Sequence, residues 1–200
     1  MSRLVETIKS ENGILQNISF HNERMIRSLY EVFGIKKESN IGSIITVPQF
    51  AMNGIYKCRV VYDDKNIEID FQKYNIRPVR TIKIVEDNDI NYPHKFTDRE
   101  NINRLFELRE HCDDILIIKK GMITDSSYAN VILKDPNGKW VTPSSCLLPG
   151  TRRASLLQRK EISEAVITYN DLHKYLEIKL INAMIDIDDT MGIPISQIWP

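Results

Sequence analysis

Hydrophobic and polar positions alternate through "RLVETIKSE" and again through "ILQNISF", either side of Asn12-Gly13. That pattern predicts a β-hairpin turning on Glu11-Asn12-Gly13. The period then changes. In "HNERMIRSLYEVFGI", Met25, Ile26, Leu29, Val32 and Phe33 recur at helical spacing, and Gly34 is placed to end the helix. After a looser segment holding Pro48, the strand-like runs "GIYKCRVVYD" and "IEIDFQKY" flank Asp63-Asp64-Lys65-Asn66 and predict a second hairpin. Residues 1–76 read as a small α+β domain, with a junction inside 74–80.

Residues 77–200 read as a larger domain of mixed strands and packed helices, and this part includes Lys95. A strand follows Pro78 in "RPVRTIKIVED". "TDRENINRLFELREHC" predicts a helix with Thr97 as N-cap of a capping box and an apolar side of Ile102, Leu105, Phe106 and Leu108. Strands through 113–143 are joined at Lys120-Gly121, Asp125–Tyr128 and Pro136-Asn137-Gly138, and a helix opens directly after Pro149-Gly150. "DLHKYLEIKLINAMIDIDD" predicts a helix or strand leading into a final strand pair. The fold class is α+β with two domains.

One join is unusual. In "GMITDSSYANVILKD" an acid, two serines and a tyrosine stand between the strands Met122–Thr124 and Ala129–Leu133, where Gly, Pro or Asn-Gly is the ordinary choice. Loops held on a rigid sheet are frequent carriers of binding groups. A solvated turn is the plainer reading of that stretch.

Composition adds little direction. Lys+Arg and Asp+Glu balance at 27 each in 200 residues, so there is no global charge to attract nucleic acid or an anionic membrane. The three cysteines, Cys58, Cys112 and Cys146, have neither metal-ligand nor disulfide-framework spacing. No apolar run reaches the length of a membrane span, and "MSRLVETIKSENG" has no apolar signal core. A soluble cytoplasmic protein is the expectation.

Two local patterns carry candidate chemistry. Lys95, in "NYPHKFTDREN", stands ahead of the helix that Thr97 would cap, where the helix dipole disfavours an ammonium. "LLPGTRRASLL" opens a helix with Gly150-Thr151, and the backbone N–H groups of a helix's first turn suit a phosphate, while Arg152 and Arg153 add charge. Arg24 could supply a fork of donors to the same phosphate. Taken singly, these are also a surface lysine, an ordinary helix start and a solvated arginine.

In this order the segments resemble the class IV pyridoxal-phosphate (PLP) enzymes, among them branched-chain and D-amino acid aminotransferases and 4-amino-4-deoxychorismate lyase. "VETIKSENGILQNISFHNERM" is similar to the family's "F-E-T-I-R … H-x-x-R-L", with His21 and Arg24 in the final motif. "HKFTDR" resembles the lyase form of the Schiff-base segment, and "ITDSSYANV" the family's "V-T-E-x-x-x-x-N". "LLPGTRR" is similar to "LLPGITR", and "LINAM" to a late segment of the lyases.

The resemblance implies the two-domain class IV fold with PLP between domains, and a homodimer whose partner helps close the site. It gives Lys95 the catalytic amine, Arg24, Thr151 and Arg152 the cofactor phosphate, Asp125 the pyridine nitrogen, and Asn130 and Asn182 supporting places in the cofactor site. The chain departs from the family in carrying Asp125 where glutamate is usual, and in lacking a counterpart of the opening "D-R-G … F-G-D-G" segment. Nearest is the lyase branch, in which pyruvate is eliminated to leave 4-aminobenzoate for folate synthesis. The alternative is an aminotransferase between an amino acid and a 2-oxo acid, and a PLP-binding protein without catalysis is a third reading, against which Lys95 speaks. Substrate groups are open, with Arg59, Arg77 and Arg80 as candidate carboxylate partners.

Overall fold

The computed structural model describes residues 3–36 and 40–200. Backbone contacts divide the chain into two compact units, one of Met1–Ile76 with His94–Asp98, the other of Arg77–Pro93 with Arg99–Pro200.

In the first unit, β1 (Leu4–Glu11) and β2 (Ile14–Leu15) lead into α1 (Ile18–Phe33) and the short α2 (Ile41–Ile44), followed by β3 (Ile55–Tyr62) and β4 (Ile67–Lys73). The strands lie in the order β2-β1-β3-β4, all antiparallel. The first hairpin turns where expected, because Asn12 and Gly13 take positive φ of 48° and 81°. Its second arm is shorter than the alternation suggested. Asn17, at φ 52°, swings the chain straight into α1, so Ile18–Phe20 are helical. Gly34, at φ 71°, ends the helix with its N–H on Tyr30 O and Leu29 O. Leu4 and Ile8 of β1, Met25 and Leu29 of α1, and Cys58, Val60 and Tyr62 of β3 form the core.

The second unit contains β5 (Ile82–Glu86), α3 (Glu100–Phe106), β6 (Asp114–Lys119), β7 (Met122–Ser126), β8 (Asn130–Lys134), β9 (Trp140–Pro143), α4 (Thr151–Gln158), β10 (Ser163–Ala165), β11 (Glu177–Ile181), β12 (Ile193–Pro194) and β13 (Ile198–Trp199). The sheet runs β10-β9-β8-β7-β6-β5-β13, and β11 pairs with β8 and with β12. Its main core includes Leu116, Ile123, Val131, Leu133, Ile167, Ile178 and Leu180. Ile132, Leu156, Ile162 and Ile181 make a second cluster beneath α4.

Two expectations are corrected here. Thr97 is not a helix cap: its N–H and its hydroxyl both go to Arg3 O, at 2.8 and 3.1 Å. α3 starts at Glu100, with Arg99 at the cap position and no side-chain cap, and it gives way to a 3-10 turn over Glu107–Arg109 that leaves Leu108 exposed. Lys95 also groups with the first unit instead of the 77–200 part. The cause is backbone pairing along the edge of β1, where Val5 N–H donates to Lys95 O at 2.8 Å and Leu4 bridges Phe96.

Candidate functional site

In the first unit the site begins with strand alternation. Leu4, Glu6 and Ile8 share the face of β1 that packs on α1, so a carboxylate stands between two apolar core side chains. Glu6 is 1% exposed. An isolated buried charge is costly, and α1 answers it with the inward-facing His21 and Arg24. Arg24 Nε donates to Glu6 Oε1 at 2.8 Å and Arg24 Nη2 to Glu6 Oε2 at 2.5 Å. His21 Nδ1 lies 2.5 Å from the same Oε2.

Burial alone would push the Glu6 carboxyl up, but the Arg24 charge and the bonds from His21 and Arg24 bring it down to about 2. Glu6 is therefore an anion, and the proton between it and His21 belongs on Nδ1. Burial lowers the His21 pKa, Glu6 opposes this, and the charges of Arg24 and Lys95 lower it further. The imidazole is thus neutral near pH 7. Burial likewise pushes up the Tyr62 phenol, whose side chain bonds with that of Ser28.

Lys95 belongs with this group. Its carbonyl is fixed to Val5 beside Glu6, its side chain is half-buried, and its charge is felt at His21. The helix-dipole argument for its reactivity falls, because α3 begins only at Glu100.

In the second unit Asp125 lies within β7, not in the join, and is paired with Asn130 at the first residue of β8. Asn130 Nδ2 donates to Asp125 Oδ1 at 2.7 Å and to Leu148 O at 2.8 Å. The N–H groups of Leu147 and Leu148 reach Asp125 Oδ2 at 2.9 and 3.0 Å. Burial raises the Asp125 pKa to about 6, against the pull of the Leu148 N–H, Asn130, the Leu147 N–H and the Arg153 charge.

The hydroxyls at the join have a local task. Ser126 Oγ accepts the Ala129 N–H at 3.1 Å and Ser126 N–H donates to Ala129 O at 2.9 Å, so serine closes a turn that lacks glycine. Arg99 donates to Ser127 O. Ser127 also hydrogen-bonds the buried Asp114, whose pKa burial raises.

The loop pinned by Asp125 and Asn130 runs into α4. Gly150 caps that helix, and its Cα lies against Asn130 Oδ1 so closely that a Cβ would collide with it. Thr151 and Arg152 are buried in the first turn, where helix geometry leaves N–H groups without intrahelical acceptors. The Arg152 guanidinium is engaged by Asp186, Nη1 to Oδ2 at 2.6 Å. Arg153 turns elsewhere, to Thr142 Oγ1, Pro143 O and Glu164. Asn182 Oδ1 accepts the Met184 N–H at 2.8 Å, and its Nδ2 is 3.5 Å from Tyr128 O.

The structure thus gathers Arg24 and Lys95 in the first unit and Asp125, Asn130, Thr151, Arg152 and Asn182 in the second. Sequence reasoning missed Glu6; the available signal was a charge between Leu4 and Ile8 on a core-facing strand position. It also missed Asp186, which no pattern marks as the partner of Arg152.

These groups fit PLP. Among the described residues Asp125 is hydrogen-bonded only by neutral donors, so a protonated pyridine nitrogen would supply a charged donor that none of these bonds provides. The start of α4 offers backbone N–H groups to a phosphate, next to a glycine that no side chain could replace without displacing Asn130. No cluster of metal-binding side chains and no helix long and apolar enough to cross a membrane occurs among the described residues.

Comparison with known proteins agrees with this chemistry. The family pattern described as amino-transferase class IV matches residues 70–198. A protein of Haemophilus influenzae without an assigned function is 41% identical over 186 residues, covering 92% of this chain and 98% of its own length. The crystal structure of a candidate 4-amino-4-deoxychorismate lyase from Haemophilus somnus 129PT superposes with a TM-score of 0.88 at 36% identity, over 94% of this chain and 98% of that one. At 13% identity, which speaks to fold alone, the PLP-bound form of a hypothetical aminotransferase from Mycobacterium tuberculosis superposes with a TM-score of 0.77 over 98% of this chain and 81% of its own. On the matched pattern and on a relative of this closeness, the chain belongs to the class IV aminotransferase family of enzymes.

Proposed function

We propose that the protein is a PLP-dependent enzyme of the 4-amino-4-deoxychorismate lyase type, releasing pyruvate and forming 4-aminobenzoate for folate synthesis. The observation that carries the choice is the likeness, at 36% identity over nearly the whole of both chains, to the candidate lyase of Haemophilus somnus. When bound, PLP supplies an electron sink for the carbon next to the substrate amine.

Lys95 provides the amine that holds the cofactor and moves protons at the substrate's α and β carbons. Asp125 accepts the hydrogen bond of the ring nitrogen and keeps that nitrogen protonated, at the reach of a side chain one methylene shorter than glutamate. Asn130 holds Asp125 in place. The Thr151 hydroxyl and the first N–H groups of α4 receive the phosphate. Because the Arg152 side chain is held by Asp186, its contribution there passes to the backbone N–H. In this reading the guanidinium of Arg24 is a ligand of the cofactor phosphate, and Asn182 lines the cofactor site.

Incubation with aminodeoxychorismate tests the reaction. Pyruvate release without a 2-oxo acid acceptor supports the lyase. Turnover that depends on an acceptor supports the second reading, an aminotransferase, an activity that the matched family also contains. The same account makes the enzyme a cytoplasmic homodimer acting on a small molecule; a light-scattering mass of one chain at working concentration contradicts the dimer.

A further inference from the structure

We propose that Glu6 is a positioning residue for the phosphate-binding guanidinium of Arg24, an inference that rests on the pyridoxal-phosphate reading above. Glu6 occupies a core-facing position between Leu4 and Ile8, where an apolar side chain would pack without the cost of desolvating a carboxylate. What the carboxylate adds is direction. Its two oxygens take Arg24 Nε and Nη2 in a bidentate pair, which sets the plane of the guanidinium and the heading of its opposite edge.

The carboxylate is itself anchored from a second side. His21 Nδ1 donates to Oε2, the oxygen that also receives Arg24 Nη2, so Glu6 cannot rotate away without losing both bonds. Strand β1 extends the arrangement to Lys95, since the N–H of Val5, adjacent to Glu6, holds the lysine carbonyl. One strand therefore orders the acid behind the phosphate ligand and the backbone of the amine. A residue acting in this way never touches the cofactor, yet its loss falls on the phosphate and not on the ring.

That asymmetry gives the test. The cofactor-free protein is titrated with PLP and, separately, with pyridoxal, which lacks the phosphate, and binding is followed by absorbance. Wild type binds PLP more tightly than pyridoxal. In Glu6→Gln the PLP affinity falls about tenfold or more, as expected for losing charge-assisted bonds that fix a ligand group, while pyridoxal affinity stays within about twofold by the same measure. Equal weakening of both ligands, or of neither, overturns the inference, since a merely structural salt bridge does not distinguish them.

Should Glu6→Gln fail to fold, Glu6→Asp carries the same comparison: it keeps the charge but draws the carboxylate back by one methylene from both nitrogens, and a selective loss for PLP is again expected. The two readings fail differently. If wild type shows no preference for PLP over pyridoxal, Arg24 is not a phosphate ligand and the role of Glu6 falls with it. If wild type shows the preference and neither Glu6 variant reduces it, only the role of Glu6 is lost.

Discussion

Asn130 donates through one amide nitrogen to both the Asp125 carboxylate and the Leu148 carbonyl, at 2.7 and 2.8 Å. The acid proposed for the cofactor ring and the loop that leads into α4 are thereby tied to a single side chain. Asn130→Ala removes both bonds and leaves a buried carboxylate oxygen short of a donor. It should cost about 1–3 kcal/mol of stability and weaken PLP binding, measured by urea unfolding and by titration of the apoprotein. Asn130→Asp should be worse, because it places a second carboxylate against Asp125.

The same amide limits the neighbouring glycine. With Nδ2 committed to two acceptors, Oδ1 must face Gly150. Gly150 has φ −73° and ψ 147°, a conformation open to any residue, so the restriction is purely steric. Gly150→Ala should destabilise the protein by about 1–3 kcal/mol, the usual cost of overpacking. Combining it with Asn130→Ala should cost less than the sum of the two. Strict additivity in the unfolding free energies would contradict the contact.

Asp125 also sets a pH dependence. Its folded pKa of about 6 lies above the ordinary 3.8, so between those values the folded protein binds the extra proton. Stability of the cofactor-free protein therefore falls as pH rises from about 4 to about 6, by roughly 3 kcal/mol for a shift of this size, and then levels. Asp125→Asn should abolish this component, seen as wild type losing stability relative to the variant over that window. Glu6 works in the opposite sense. Its pKa of about 2 against an ordinary 4.5 gives stability present above 4.5 and lost as the pH falls through 2.

Arg153 separates fold from site. Its guanidinium is spent on Thr142, Pro143 and Glu164, and the ammonium of a lysine cannot reproduce that fork. Arg153→Lys should lower stability by about 1–3 kcal/mol while leaving PLP affinity unchanged. A loss of affinity without a loss of stability would return Arg153 to the phosphate.

Much of this architecture could be read before any coordinates. Asn12-Gly13, Gly121 and Gly34 take the positive φ angles that their residue types allow, because turn chemistry is local. The spacing of Asp125 and Asn130 was legible for the same reason, as the two residues belong to one hairpin. Thr97 shows where local reading fails. "TDRE" has the form of a capping box, but the Arg3 carbonyl, 94 residues away in sequence, takes both Thr97 donors. Glu6 was hidden differently: alternation marks a strand, but which face of β1 carries α1 is decided by packing. Arg152 and Arg153 look equivalent in sequence, and only the positions of Asp186 and Glu164 separate them.

The central claim is that Lys95 is the amine of a PLP enzyme. The most direct measurement is the absorption spectrum of the purified protein with PLP, before and after borohydride, followed by peptide mass mapping. The account predicts a yellow protein that bleaches and carries a pyridoxyl adduct on Lys95, and a Lys95→Ala variant that forms no adduct and loses activity by about two orders of magnitude or more. A protein that stays colourless with PLP, or one modified at another lysine, would contradict it.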